Sequence, residues 1–270
     1  MKLDYGTLLS FDPLPLQCGC SIISPTLKEI SKIGFQTYNS YLSLMILNLD
    51  NYFQAITNES EYFSRYEKEE KDIILKIKND YNSLSDTEKE EITLLDILSF
   101  DKQMMKNIVE ALAFFLCCKL DYSFDNRVFI IKNNNQDDEA FPHYLYQSIA
   151  ELILQRNGIT QKTKDEKPKF KNKLAEKLYY RSMQAENNFD RVKNVDNNME
   201  LANIISAVAA YHPSINMINI WDMTVYQLYD QFQRLQNNNV YKIQSISVAT
   251  WGDEKNKFDA TQWFKNLNNQ

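Results

Sequence analysis

Glycine and proline are scarce in this sequence, 5 and 6 residues in a chain of 270. Gly-rich phosphate loops and multi-turn β architectures both consume glycine, so long helices separated by polar joints are the economical organisation. Histidine is scarcer still. His143 and His212 are the two present, and neither has a Cys, Asp or Glu four residues on or an H-E-x-x-H frame. A zinc hydrolase or a Ser-His-Asp enzyme would need one of them as ligand or base. G-x-G-x-x-G, Walker, G-x-S-x-G and kinase patterns are missing too, so the sequence asks for neither a catalytic residue nor a cofactor.

Long apolar runs are also lacking, since none reaches the roughly 18–20 residues that span a bilayer. The opening MKLDYGTLLSFDP carries acids where a signal peptide would carry a basic region. The expected location is the cytoplasm of the cell that makes the protein. Positive charge is not in excess. A net charge of −6 and a pI near 5.1 argue against a nucleic-acid scaffold. The four cysteines form two close pairs, Cys18/Cys20 and Cys117/Cys118. C-x-C and C-C depart from the usual C-x2-C knuckle, so buried thiols in a reducing cytosol are expected, with a four-thiolate zinc site as the alternative.

What is present excludes wholesale disorder: 44% hydrophobic and 13% aromatic residues in a chain long enough to bury a core. The 28 asparagines, beside many Lys and Ile, are the stamp of an AT-rich genome. SPTLKEISKIG reads as a helix with Ser24 as cap, Pro25 first and Gly34 closing. Glu59–Glu91 holds eleven acidic and six basic residues, a solvated helical hairpin broken at LSDTEKEE, where Ser85 and Glu88 make a capping-box pair. The most apolar element, FDKQMMKNIVEALAFFLCCKL, has Asp101 as cap and belongs at the centre of an N-terminal core. DYSFDNRVFIIK is the best strand candidate, a small hairpin around Asp125-Asn126. FPHYLYQSIAELILQRNG reads as a helix from Pro142 to just before Gly158. Asp137, Asp138 and Glu139 look like a divalent-metal cluster or, more simply, an exposed loop tip.

The fold class expected is mainly α, a multi-helix globular fold with at most one small β-hairpin at about 119–132. An N-terminal helical domain, 1–158, leads through a Lys-rich joint, 159–173, to an aromatic-rich C-terminal helical subdomain, 174–270. The joint has six Lys against two acids and no apolar period until Phe170. Beyond it come the helices KLAEKLYYRSMQAENNF and NMELANIISAVAAYHP.

In IWDMTVYQLYDQFQRLQ, Thr224 and Gln227 form a capping box, and Val225, Leu228, Phe232 and Leu235 share one helical face. This helix, of about twelve residues, is marginal alone and must dock. At the end of the chain Asp259 and Gln262 form a second box, whereas Ile243, Ile246 and Val248 hold no clear period. All three tryptophans, Trp221, Trp251 and Trp263, fall in the last fifty positions. Such a concentration fits a small aromatic core or a binding surface. Trp221, Tyr226, Tyr229 and Trp263 are the candidates for facing a partner.

Two stretches, CSIISPTLKEISKIGFQTYNSYLSLMILNLDNYF and IWDMTVYQLYDQFQRLQNNNVYKIQSISVATWGDEKNKFDATQWFKNLN, together resemble tail-morphogenesis proteins of phages and prophages of low-GC Gram-positive bacteria. Within these the chain is similar to the tail assembly chaperone group, over roughly a third of its length. The resemblance implies a helical, non-enzymatic protein in the cytoplasm of the bacterial host. Its partners would be tape measure or tail tube subunits, with neither nucleic acid nor membrane involved. The chain is longer than such chaperones, and its charged Glu59–Glu91 segment has no counterpart there. That departure keeps open a structural component of the tail or baseplate, present in the finished virion.

Overall fold

Capping side chains set most of the helix starts. The computed structural model describes residues 2–16, 18–56, 61–132, 138–159, 200–253 and 257–267. Its elements begin with α1 (Tyr5–Leu9), β1 (Leu14–Pro15), β2 (Ser21–Ile22), α2 (Leu27–Ile33), α3 (Phe35–Ile46) and α4 (Leu49–Ala55). The charged stretch follows as α5 (Glu61–Ser64), α6 (Lys68–Ser83) and α7 (Asp86–Glu91), then α8 (Leu94–Leu98) and α9 (Lys102–Leu116). After β3 (Lys119–Ser123), β4 (Val128–Lys132) and β5 (Glu139–Pro142) come α10 (Tyr146–Arg156), α11 (Leu201–Tyr211) and α12 (Val225–Trp251). Of the Lys-rich joint 159–173 only Ile159 is among the described residues, and the KLAEKLYYRSMQAENNF helix lies outside them.

The expectation of at most one hairpin is overturned. Among the described residues five strands form two antiparallel sheets, so the fold is mixed α and β, with helix dominant. β1 pairs with β2 within the proline-containing start, where Pro15 stands opposite Ser21. The hairpin of β3 and β4 gains a third strand, β5, which aligns Phe129 with Phe141 and Val128 with Pro142. Pro142 therefore ends a strand and does not open a helix. A residue without an N–H is tolerated at the end of an outer strand, and the tight turn His143–Leu145 intervenes before α10. Phe129 stacks on Phe141 at 5.0 Å and meets Tyr122 edge-on at 5.0 Å, which makes the sheet's inner face aromatic.

α9 runs through the core, with Ile108, Ala111, Leu112 and Phe115 wholly buried. It packs against α3 and β3, and α10 also packs against α3. Asp101 caps α9 from inside: its carboxylate accepts the Met104 N–H at 2.9 Å and the hydroxyls of Tyr52 and Tyr66 at 2.9 and 2.8 Å. A buried carboxylate so surrounded has its lone pairs satisfied.

The expected cap at Ser24 is also corrected. Thr26 caps α2, in a box with Glu29, and Gly34 ends it at φ +88°. Ser24 Oγ is taken instead by the Nε of buried Arg156, whose Nη2 donates to the carbonyls of Ser10 and Asp12, both at 2.9 Å. The Arg156 guanidinium thus ties the N-terminal segment to α10. The charged segment meets its expectation in one respect. Ile74 is the buried residue of α6, and Ser85 and Glu88 cap α7 as a box. Lys78 Nζ anchors α6 to the C-terminal end of α4 through the Phe53 and Ile56 carbonyls at 2.6 and 2.7 Å.

Candidate functional site

α12 starts as its sequence prescribes. Thr224 Oγ1 accepts the Gln227 N–H, and the Gln227 side chain accepts the Thr224 N–H at 3.0 Å. The start is also welded to the N-terminal segment. Thr26 and Thr224 form an antiparallel bridge, the Leu27 N–H donates to the Met223 carbonyl at 2.8 Å, and Gln227 Nε2 donates to the Leu9 carbonyl at 2.7 Å. Val225 and Leu228 are buried, and Phe232 and Leu235 pack partly against the same core. One turn on, the Tyr5 hydroxyl donates to Asp230 and in turn accepts from Arg234 Nη2 at 3.1 Å. Burial and the Asp230 hydrogen bond push the Tyr5 phenol up, since the phenolate would face a carboxylate.

The helix does not stop after three turns. It runs 27 residues to Trp251 and ends at Gly252, φ +79°. The expected length of about twelve was an underestimate, because the Asn-Asn-Asn run at 237–239 reads as a break although neither Gly nor Pro intervenes before Gly252. Beyond Gln236 α12 has no buried residue. Ile243 and Ile246 are 70% and 67% exposed, Trp251 is 80% exposed, and with Val240 they spread over an arc of about 140° of the helix surface. Lys242 is the single charged residue between Gln236 and Trp251.

The C-terminal tail folds back on the middle of this helix. Asn237 and Gln262 exchange hydrogen bonds, one at 2.9 Å, and Arg234 Nη1 donates to the Lys265 carbonyl at 3.1 Å. Tyr241 stacks on Phe258 at 5.6 Å. The second boxed helix expected here is a three-residue 3-10 turn, Gln262–Phe264. Asp259 spends its carboxylate on the Thr261 N–H and hydroxyl, and Gln262 spends its amide on Asn237, so no box forms.

The four residues expected to meet a partner fall in different surroundings. Tyr226 and Tyr229 point into the core, at 5% and 4% exposure, and burial pushes both phenols far up. Trp221 is half-buried and donates from Nε1 to the Met217 carbonyl at 3.0 Å. Trp263 is 53% exposed and lies edge-on to Phe264 at 4.9 Å. The apolar stripe of Val240, Ile243, Ile246 and Trp251 was missed as a surface. Its only signal was the unbroken stretch free of Gly and Pro that lets these positions share a helical face.

The other candidate chemistry disperses. His143 sits between the Arg127 carbonyl, 3.1 Å from Nδ1, and Asp96, 3.4 Å from Nε2. His212 Nδ1 accepts the Ser214 and Ile215 N–H groups at 3.1 and 3.0 Å, a turn that closes α11. Asp138 pairs with Lys132 at 2.8 Å while Glu139 packs over Gly19, and Asp137 lies outside the described residues. Among the described residues no three of His, Cys, Asp and Glu are grouped to hold a metal ion, and no helix is long and apolar enough to cross a membrane.

Residues 188–268 match the family model described as the YomV second domain, YomV being a Bacillus prophage protein. The match spans α11, α12 and the folded-back tail, so this part of the chain is similar to a phage-associated domain. No curated protein and no solved structure matches the chain.

Proposed function

We propose that this chain is a phage morphogenesis factor of the tail assembly chaperone kind, which binds an apolar helical segment of a tail protein without catalysis. The observation that supports it best is the distal part of α12: a helical face with Ile243, Ile246 and Trp251 in water and one charge, Lys242, in sixteen residues. Solvated helix faces ordinarily carry many charges, and one that does not is suited to a helix-on-helix contact. Covering each of these side chains would contribute about 1.5–3 kcal/mol to association. A tape measure type protein, long and apolar-striped, aggregates unless such faces are covered. Trp263, 53% exposed, adds an apolar side chain on the folded-back tail, and the likeness of residues 188–268 to a prophage domain agrees with the setting.

The test is co-expression with the tape measure type protein encoded in the same phage genome. The expected result is a soluble complex that co-purifies, and its loss when Ile243→Gln and Ile246→Gln are combined. Purified virions should lack the chain. Stoichiometric copies in the particle would replace this reading with the structural tail or baseplate component.

A further inference from the structure

The β1–β2 hairpin brings two thiols together, Cys18 and Cys20. The Leu16 N–H donates to the Cys20 carbonyl at 2.8 Å, and Cys18 and Gly19 lie between the two in the sequence. Gly19 lies at φ +79°, a left-handed conformation that glycine adopts freely, and the loop sets the sulfurs of Cys18 and Cys20 3.2 Å apart. All four cysteines are free thiols. A third thiol, Cys118, lies near enough to feel both hairpin sulfurs, and the Ile23 N–H donates to the Phe115 carbonyl at 2.9 Å, which joins the hairpin's exit to the last turn of α9. Burial pushes the Cys20 thiol far up and the Cys118 thiol up to about 11, so both stay protonated at neutral pH. Cys18 is more exposed than Cys20 and is the one placed to meet a solute first.

We propose that Cys18 and Cys20 form a reversible redox site that a hydroperoxide converts into a disulfide within the loop. The Cys18 sulfur attacks the peroxide O–O bond and becomes a sulfenic acid, while the other oxygen leaves as alcohol or water with the thiol proton. Cys20 sulfur then displaces hydroxide from Cys18, and the Cys20 proton completes a molecule of water. Two thiols lose two electrons in all, and these reduce the O–O bond. A bridge between residues two apart closes a small, strained ring. It should therefore be reduced far more readily than a structural disulfide.

A peptide map of the full-length protein decides the matter without any variant. Trypsin releases Leu3–Lys28 with both hairpin cysteines and Asn107–Lys119 with the other two. After brief treatment with hydrogen peroxide and alkylation, Leu3–Lys28 should lack two hydrogens and carry no alkyl group, and dithiothreitol should restore both thiols. In Cys20→Ser the loss of two hydrogens should vanish and dimedone should capture a sulfenic acid at Cys18. Alkylation of both hairpin cysteines, sulfinic acid without a bridge, or a cross-link from Leu3–Lys28 to Asn107–Lys119 as the first product would each overturn the proposal.

Discussion

The two halves of α12 obey different rules. Val225–Leu235 is capped, bridged to the N-terminal segment and buried on Val225, Leu228 and Tyr229. Gln236–Trp251 has a continuous helical backbone and no buried residue. Helical conformation and core packing are thus separable along one element. Once the first turns are nucleated by the cap and the core, each further residue adds a hydrogen bond at little cost, and the helix persists past the end of its own packing. The distal half still carries apolar residues, and packing among the described residues does not account for them.

The largest consequence is a stability contrast. Leu228→Ala removes a wholly buried side chain and should cost about 2–5 kcal/mol, whereas Ile243→Ala, at the same helical periodicity but in water, should stay within about 0.5 kcal/mol. Urea denaturation of both variants measures it, and equal losses would erase the distinction between the halves. Asp230 marks the border. It is buried, and it accepts the Tyr5 hydroxyl while Arg234 Nε lies 3.7 Å away. Asp230→Ala leaves that hydroxyl without its acceptor and should cost about 1–3 kcal/mol. Most of this should disappear in a Tyr5→Phe background if the pair acts as a unit.

Much of the proximal half could be read from the residues, and little of the distal half. The boxes at Thr224/Gln227 and Ser85/Glu88 and the cap at Asp101 were legible because a single side chain and a fixed spacing determine them. Tyr226 and Tyr229 flank the Val225–Leu228 stripe, and position on the helix alone turns them outward. Tyr5 of α1 lies near Tyr226 and Tyr38 of α3 near Tyr229, so other elements widen the buried arc, a tertiary fact with no local signature. Strand β5 was hidden for a related reason. Pro142 before an apolar period imitates a helix start, and the pairing of Phe141 with Phe129 depends on a partner strand. β1 and β2, two residues each, are too short to show a period.

Alkali should attack the buried side of the comparison next. Tyr229, Tyr38 and Tyr146 are buried, and desolvation raises each phenol above its ordinary value of about 10. The unfolded chain can ionise these phenols near pH 10 and the folded chain cannot. Stability is therefore fully present below about pH 10 and falls as pH rises toward the folded values, by about 1.4 kcal/mol per tyrosine per pH unit. Phenolate absorbance should show these tyrosines titrating together with the loss of helical signal. Smooth titration in a chain that stays folded would mean that the tyrosine core is open to water.

The smallest stability effect is the most informative for function. Ile243→Gln with Ile246→Gln exchanges two exposed apolar side chains for polar ones of similar helix propensity, so the urea midpoint should move by no more than about 0.5 kcal/mol per site. Far-UV helicity should be unchanged, because the i→i−4 ladder and the tail contacts of Asn237 and Tyr241 are untouched. Against that flat background the loss of client binding stands out, and a pair of substitutions silent in folding would locate the working face on the distal half. A drop of several kcal/mol would instead show that these isoleucines pack inside the fold. The distal half would then be an extension of the core, and the contrast with the proximal half would collapse.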